Sequence, residues 1–297
     1  MKVLVTGATG FVGPAVANAT TDAGHEVRVL ERKPGSWREA GIRCREAVQG
    51  DVTDADSVRR AASGMDAVIH LVAVRQGKPA LFERVMVEGT RNLIGAAKEA
   101  GVRRFVLMSA LGVTEQTKDL VPYYGAKWTM EQDTKASGLE HVIFRPSFIF
   151  GRDGGILPTF LKLAKLSPFT AVMGSGEQRI QPIWIDDIGA YFARAVDAGE
   201  ANRTFEVGGP DAVTWNDLWQ RIRALRGIRR RPMIHVPIGL MRIPAVITEH
   251  LPGDIPLTRD LLTMLETGDS VATNDDAIRT FQLPLVPLDE QLLRAAA

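Results

Sequence analysis

The feature that most constrains the fold is an alternation, through the first half of the chain, of short apolar runs with longer amphipathic stretches. Runs such as Ala67–Leu71 and Phe105–Met108 are apolar at almost every position, not at every second one. Strands of this kind are covered on both faces, which is typical of a parallel sheet between two layers of helices. The predicted strands are Lys2–Thr6, Glu26–Leu30, Glu46–Gln49, Ala67–Leu71, Arg104–Met108, His141–Arg145 and Thr204–Val207. The alternation therefore predicts an α/β fold with a doubly wound parallel sheet of the Rossmann type.

Four stretches between these strands have the spacing of amphipathic helices. They are Gly13–Ala23, Asp54–Ala62, Phe82–Ala100 and Tyr124–Ser137. A glycine follows each stretch within a few residues, where it is expected to end the helix and lead into the next strand.

The chain has 297 residues, enough for one large domain that carries a smaller one. The regular alternation weakens after Gly151, where proline and glycine become frequent. We predict a dinucleotide-binding Rossmann domain over residues 1–150 and 180–207. Residues 151–179 and 208–297 are predicted to form a smaller C-terminal substrate domain.

Composition excludes several classes of function. The 36 Lys and Arg residues almost balance the 35 Asp and Glu residues, so no nucleic-acid partner is expected. The five histidines are scattered and the only cysteine is Cys44, which argues against a metal site, and His70 is interpreted as a satisfied core residue. The sequence contains neither a signal-peptide pattern nor a long apolar run, so we expect a cytoplasmic protein.

The segment Thr6–Gly13 has the spacing G-x-x-G-x-x-G between the first predicted strand and a helix. Glycines at these positions let the chain turn tightly and let its backbone approach a pyrophosphate at the helix N-terminus. The segment therefore predicts a nicotinamide dinucleotide as cofactor. Its candidate binding residues are Gly7, Thr9, Gly10, Phe11, Val12 and Gly13.

The choice between NAD and NADP is left open by two neighbouring residues. Glu31 lies eighteen positions after Gly13, where an acid would bind the ribose 2′-hydroxyl of NAD. The next residue, Arg32, is suited to pairing with the 2′-phosphate of NADP. The ends of the third and fourth strands are expected to form the walls around adenine and ribose, at Asp51, Val52, Leu71, Val72 and Ala73.

A candidate catalytic pair lies at Tyr123 and Lys127, four positions apart and hence on one face of a helix. A lysine beside a phenol lowers the pKa of the phenol, which then serves as an acid or base while a hydride is transferred. Ser109, directly after the fifth strand, is the third candidate catalytic residue.

With these motifs the chain resembles the short-chain dehydrogenase/reductase superfamily, specifically its extended and atypical branches. The resemblance runs over nearly the whole chain. It is strongest in Phe105–Gly112, Phe144–Gly151, Gln181–Asp187 and Phe205–Pro210. These segments are similar to the atypical group that includes the nucleotide-binding accessory subunit of respiratory complex I and its bacterial relatives.

The resemblance implies that Lys127 also binds the nicotinamide ribose and that Pro146, Ser147 and Phe148 line the nicotinamide side. The sequence departs from the family pattern at two positions. Extended enzymes usually have a catalytic Ser or Thr where Ala110 stands, and an Asn where Met86 stands.

Three functions agree with these observations. The first is an oxidoreductase acting on a small carbonyl, hydroxyl or quinone-related substrate. The second is a non-catalytic, nucleotide-binding accessory or assembly factor of a membrane respiratory or quinone system, and the third a sugar-nucleotide epimerase or dehydratase. The arginine-rich and apolar stretch Arg221–Ile247 is interpreted either as a solvated helix face with a hydrophobic lid or as a peripheral contact with a membrane or respiratory complex.

Overall fold

The computed structural model describes residues 1–228, 231–242 and 258–297. The chain divides into two compact units. The first comprises Met1–Pro146, Ile185–Val207 and Thr273–Pro284. The second comprises Ser147–Trp184, Gly208–Ala272 and Leu285–Ala297.

Seven parallel strands form the central sheet of the first unit, in the order β11-β6-β5-β4-β1-β2-β3. They are β1 Lys2–Thr6, β2 Glu26–Glu31, β3 Glu46–Gln49, β4 Ala67–His70, β5 Arg104–Met108, β6 Glu140–Pro146 and β11 Arg203–Val207. The Rossmann-type sheet predicted from the sequence is confirmed, and the strand ends differ by one residue at most. The strand order reverses between β1 and β4, and ligands of open parallel sheets bind at the carboxyl ends of strands at such a point.

The short strands are β7 Ile149–Phe150, β8 Thr170–Met173, β9 Arg179–Ile180, β10 Ile183–Trp184, β12 Val213–Thr214 and β13 Met233–Val236. In the second unit they form three two-stranded pairs, β10 with β7, β12 with β9 and β13 with β8. The core of this unit includes aromatic side chains. Phe148 and Phe160 both meet the ring of Trp215 edge-on, and Phe160 also packs against Trp219.

Eight helices of the first unit flank the sheet. They are α1 Gly13–Asp22, α2 Ser36–Glu39, α3 Ala55–Ala62, α4 Pro79–Phe82, α5 Gly89–Glu99, α6 Pro122–Ala136, α8 Ile185–Ala195 and α11 Asp275–Phe281. Those of the second unit are α7 Leu157–Leu166, α9 Trp215–Leu225, α10 Arg259–Glu266 and α12 Leu288–Ala296. The helix predicted over Phe82–Ala100 is divided, because Glu83–Glu88 forms a π-helical segment between α4 and α5.

The segment Thr273–Pro284 belongs to the first unit, although the sequence pattern assigned it to the smaller domain. The reason is an aromatic contact. The ring of Phe281 lies 5.5 Å from that of Phe144 on β6 and 5.2 Å from that of Phe205 on β11. These two strands are neighbours at one edge of the sheet, so the segment covers that edge.

Candidate active site

The glycine loop between β1 and α1 lies directly against the loop that follows β4. A Cβ atom on Gly7 would lie 2.9 Å from the backbone carbon of Leu71 and from the nitrogen of Val72, and the φ angle of Gly7 is +77°. A Cβ atom on Gly13 would lie 2.0 Å from the carbonyl oxygen of Ala8. The loop can therefore close in this form only because both positions lack a side chain.

The N-terminus of α1 is open to an anion. Its capping residue, Val12, has no side-chain hydrogen bond to the helix, and the first turn contains no acidic residue. Thr9 and Gly10 are exposed beside this helix end, and Phe11 is half-buried. The Gly13 amide already donates to the Gly10 carbonyl and Pro14 has no N–H, so what this end offers a phosphate is the positive end of the helix dipole. The loop therefore fits the pyrophosphate of a dinucleotide.

The residues predicted to surround adenine and ribose follow β3 and β4, and they differ in their contacts and exposure. After β3, Asp51 Oδ1 accepts hydrogen bonds from the Thr53 backbone amide at 2.9 Å and the Thr53 hydroxyl at 2.8 Å. Val52 is buried and contacts Gly89 at the start of α5, where a Cβ atom would lie 2.8 Å from Val52 Cγ2. After β4, Leu71 is buried, Val72 is half-buried and Ala73 is exposed.

Tyr123 and Lys127 share one face of α6, as the spacing predicted. Lys127 is fully buried, its Nζ donates a hydrogen bond to the Met108 carbonyl at 2.6 Å, and it lies 5.9 Å from the centre of the Tyr123 ring. Burial lowers the pKa of Lys127 to about 7, an effect that nearby Glu131 opposes. Contrary to the lowering that the spacing predicted, the pKa of the Tyr123 phenol is raised well above its ordinary value, because the effect of burial dominates, so the phenol is protonated at neutral pH.

Ser109 lies in a different environment from Tyr123. Its buried hydroxyl makes no hydrogen bond with good geometry to a described residue, yet it is near enough to the Glu131 carboxylate to help lower the pKa of that group. Glu131 is fully buried and accepts two hydrogen bonds from the Arg145 guanidinium, at 2.8 and 2.7 Å. Ser109 thus adjoins a buried ion pair, and within the described chain it forms no hydrogen bond to Tyr123 or Lys127.

His70, at the end of β4, is the centre of a buried chain of hydrogen bonds. Its Nδ1 lies 2.6 Å from the hydroxyl of Thr6, and its Nε2 lies 3.0 Å from the hydroxyl of Thr90. Because the Thr90 hydroxyl donates to the carbonyl of Met86, it accepts from Nε2, and Nδ1 accepts from Thr6. The sequence suggested a satisfied core histidine but not that it joins the glycine loop to the π-helical segment.

We expect His70 to make the protein sensitive to acid. Burial, together with a smaller effect from the charge of Lys127, lowers the pKa of His70 to about 3. In the unfolded chain His70 takes up a proton near pH 6.5. The contribution of neutral His70 to the free energy of unfolding is therefore fully present above that pH and is lost progressively as the pH falls toward 3. In urea unfolding, His70→Gln should remove about 3 kcal/mol of the stability difference between pH 7 and pH 4.

The matched control is His235→Gln, because His235 is exposed on β13 with its Nε2 2.9 Å from Asn216 Oδ1. This variant should keep the acid dependence of the parent protein. Equal acid dependence in the parent and His70→Gln proteins would show that His70 does not titrate in this way.

The three residues implied on the nicotinamide side belong to different parts of the chain. Pro146 ends β6 and is the last residue of that stretch of the first unit. Ser147 and Phe148 begin the second unit, where the Ser147 hydroxyl donates to the Ser270 carbonyl at 3.2 Å and Phe148 packs on Trp215.

The arginine-rich stretch is largely engaged in contacts within the second unit. Arg221 pairs with Asp217 and Asp289, and Arg223 donates to the carbonyl of Arg231. Arg231 donates to three carbonyl groups at the C-terminal end of α7, at distances of 2.7 to 3.0 Å. Arg226 is exposed. Of the apolar residues that follow, Leu240 is exposed and Ile238 and Met241 are half-buried, whereas Arg229, Arg230, Ile243, Val246 and Ile247 lie outside the described residues.

Two further features are absent from residues 1–228, 231–242 and 258–297, the part of the chain that the structure describes. Within these ranges no group of three or more His, Cys, Asp or Glu side chains is arranged to hold a metal ion. Within the same ranges, no helix combines the length and apolar character needed to cross a membrane.

The parallel sheet and its glycine loop define the class of the protein, a Rossmann-type fold with a loop suited to a dinucleotide. The model of the NAD-dependent epimerase/dehydratase family matches residues 3–208. The chain therefore belongs to that family.

Several known proteins are similar to this chain. The 2-alkyl-3-oxoalkanoate reductase of Stenotrophomonas maltophilia (strain K279a) is 27% identical over 330 aligned positions, which cover 100% of this chain and 99% of the relative. Subunit 9 of the 1 alpha subcomplex of mitochondrial NADH dehydrogenase [ubiquinone] from Arabidopsis thaliana is 25% identical, over 95% of this chain and 73% of the relative.

Among solved structures, the NADPH-dependent quinone oxidoreductase QOR2 of Escherichia coli, complexed with NADPH, has the same fold. Its TM-score is 0.79 with 18% identity, and the match covers 99% of this chain and 100% of that chain. Other structures with this fold are complexes with NAD.

Proposed function

We propose that this chain is an NAD(P)H-dependent oxidoreductase that reduces a small carbonyl or quinone-related compound. The observation that carries the proposal is the Tyr123–Lys127 pair, in which a protonated phenol lies beside a buried amine. A protonated phenol is the group that a carbonyl oxygen needs as it gains a hydride. The full-length similarity to a named oxoalkanoate reductase supports a carbonyl substrate.

The roles of the residues follow from their positions. The glycine loop and the N-terminus of α1 bind the pyrophosphate, and Asp51, Val52 and the Leu71–Ala73 segment surround the adenosine half. Lys127 is held in place by the Met108 carbonyl and, when protonated, stabilises negative charge on the Tyr123 oxygen. Tyr123 donates its proton to the substrate oxygen, and the bound cofactor supplies the hydride.

Ser109 has a positioning role in this proposal, not a catalytic one. Its hydroxyl adjoins Glu131, one helical turn after Lys127 on α6. The Glu131–Arg145 pair joins α6 to β6 and so holds the helix that carries the catalytic pair. A positioning role agrees with the absence of a hydroxyl at position 110, where the family usually has its catalytic Ser or Thr.

A second candidate function is a nucleotide-binding accessory subunit without turnover. It is favoured by Ala110 and Met86, which leave the site without two side chains of the usual family set, and by the similarity to a complex I subunit. In this role the nucleotide stabilises the fold without reacting. The second unit would then contact a membrane or a respiratory complex through the Arg221–Ile247 stretch. A sugar-nucleotide epimerase would require the same missing groups and is disfavoured on that ground.

The test is the oxidation of NADPH and NADH by the purified protein with 3-oxo acids, aldehydes, ketones and quinones. We expect Tyr123→Phe to lower kcat by roughly 100-fold to 10,000-fold, because the phenyl ring cannot donate a proton. Nucleotide Kd values, measured by fluorescence titration, should change less than twofold.

The matched control is Tyr124→Phe. The hydroxyl of Tyr124 donates a long hydrogen bond of 3.4 Å to the Leu111 carbonyl, so its loss should leave turnover within about threefold of the parent value. Full turnover in Tyr123→Phe would contradict the proposed acid. Tight nucleotide binding with no turnover of any compound, including UDP-glucose, would favour the accessory function.

A further inference from the structure

The two residues that leave the choice of cofactor open in the sequence lie in different environments. The side chain of Glu31, at the end of β2, is turned into its own loop, and the residue is only 5% exposed. Its Oε1 accepts a hydrogen bond from the Gly35 amide at 2.9 Å. Its Oε2 accepts from the Ser36 hydroxyl at 3.0 Å and the Trp37 amide at 3.1 Å.

Both carboxylate oxygens of Glu31 are thus committed to the β2–α2 loop. Burial by itself would raise the pKa of Glu31, but hydrogen bonds from Gly35, Trp37 and Ser36 outweigh it and lower the pKa. The φ angle of Gly35 is +85°, which lets the chain turn back so that these donors converge on the carboxylate. To bind a ribose diol, Glu31 would have to give up the contacts that order this loop.

The charges that remain exposed at this end of β2 are mostly cationic. Arg32 is exposed and forms no ion pair with another described residue. Lys33 pairs with exposed Glu39 at 3.3 Å, and the guanidinium of Arg38 lies 4.3 Å from the centre of the Trp37 ring. Residues 31–39 contain two carboxylates, Glu31 and Glu39, and that of Glu31 is buried and fully hydrogen-bonded. An approaching anion therefore meets an excess of positive charge.

We propose that the chain selects NADP(H) over NAD(H), with Arg32 binding the 2′-phosphate and Glu31 acting as a positioning residue of the loop. A guanidinium binds phosphate through two parallel hydrogen bonds, each stronger than a bond between neutral groups. The usual acid at the end of β2 discriminates against NADP by repelling its phosphate. Here that acid is bound to its own loop, and the residue beside it, Arg32, is an exposed cation that pairs with no other described residue.

This inference rests on the nucleotide site of the proposed function and not on its chemistry. The experiment is therefore a binding titration, by nucleotide fluorescence and calorimetry, of the full chain with NADPH and NADH. We expect the parent protein to bind NADPH at least tenfold more tightly than NADH. Arg32→Ala should weaken NADPH binding about tenfold to 100-fold and change the Kd of NADH less than twofold.

The control is Arg60→Ala, which removes one positive charge elsewhere on the surface. Arg60 is an exposed residue of α3 and has no part in the proposal. It should change both Kd values by less than twofold. A preference for NADH in the parent protein, or an unchanged NADPH to NADH ratio in Arg32→Ala, would overturn the inference.

A second variant separates the two possible roles of Glu31. If Glu31 positions the loop, Glu31→Gln should weaken the binding of both nucleotides to a similar degree and speed tryptic cleavage at Arg38. If Glu31 instead binds the ribose diol, the variant should weaken NADH alone and improve the relative binding of NADPH, which would contradict the proposal. NADPH selectivity without turnover would leave this inference standing while the proposed reductase activity fails.

Discussion

Gly13→Ala should lose more than about 3 kcal/mol of unfolding free energy and all measurable nucleotide binding. The added Cβ would lie 2.0, 2.3 and 2.5 Å from three backbone atoms of Ala8, the carbonyl oxygen, the carbonyl carbon and the Cα. Backbone atoms cannot move aside as a flexible side chain does, so the loop has to open or α1 has to shift. Either change displaces the helix end at which we propose that the pyrophosphate binds.

The measurement is urea unfolding together with an NADPH titration. The matched control is Gly95→Ala within α5, where an added Cβ meets no atom within 4 Å. Because alanine has the higher helix propensity, this control should gain up to about 1 kcal/mol and bind the nucleotide as the parent does. Parent-like stability and binding in Gly13→Ala would show that the loop has a different conformation.

Glu131→Leu should destabilise the protein by about 3–5 kcal/mol. The substitution leaves the Arg145 guanidinium, whose side chain is only 15% exposed, without its bidentate partner. Most of the lost unfolding free energy comes from leaving the buried Arg145 guanidinium without a partner. Replacing both residues should therefore destabilise the protein less than replacing Glu131 alone. The double variant Glu131→Leu/Arg145→Met should be at least about 1 kcal/mol more stable than Glu131→Leu alone. The measurement is the free energy of unfolding of the parent, the two single variants and the double variant, compared in a double-mutant cycle.

The exposed pair of Arg43 and Asp22 provides the comparison. It has the same bidentate form, with both distances 2.6 Å, but both side chains are more than half exposed. Asp22→Asn should therefore cost much less unfolding free energy than Glu131→Leu, since solvent already screens the pair. Similar losses in Asp22→Asn and Glu131→Leu would show that burial does not govern the effect.

Local patterns in the sequence were sufficient to predict the parallel sheet and the glycine loop. Consecutive apolar residues in runs such as Ala67–Leu71 can be buried only between two helical layers, and that condition is met by neighbours along the chain. The glycine spacing in Thr6–Gly13 reflects a turn closed by bonds between near neighbours, Gly10 to Gly7 and Gly13 to Gly10. The four-residue spacing of Tyr123 and Lys127 placed them on one helix face for the same reason.

Contacts between residues far apart in the sequence decided what the patterns left open. The hydrogen-bond chain through His70 joins Thr6, Thr90 and Met86, which belong to three separate elements. Ser109 adjoins Glu131 from another element, and this neighbour cannot be found by reading along β5. Phe281 likewise lies against β6 and β11 because of a contact across more than seventy residues.

The sequence alone therefore determined the class of fold, the position of the glycine loop and the placement of Tyr123 and Lys127 on one helix face, because each depends on residues within a few positions of one another. Only the tertiary structure decided how Glu31 is used. Its carboxylate had two possible sets of partners, a ribose diol or its own loop, and the backbone path through Gly35 brings three donors to it. A charge at a motif position indicates what it can bind, but its hydrogen bonds in the folded chain determine what it is still free to bind.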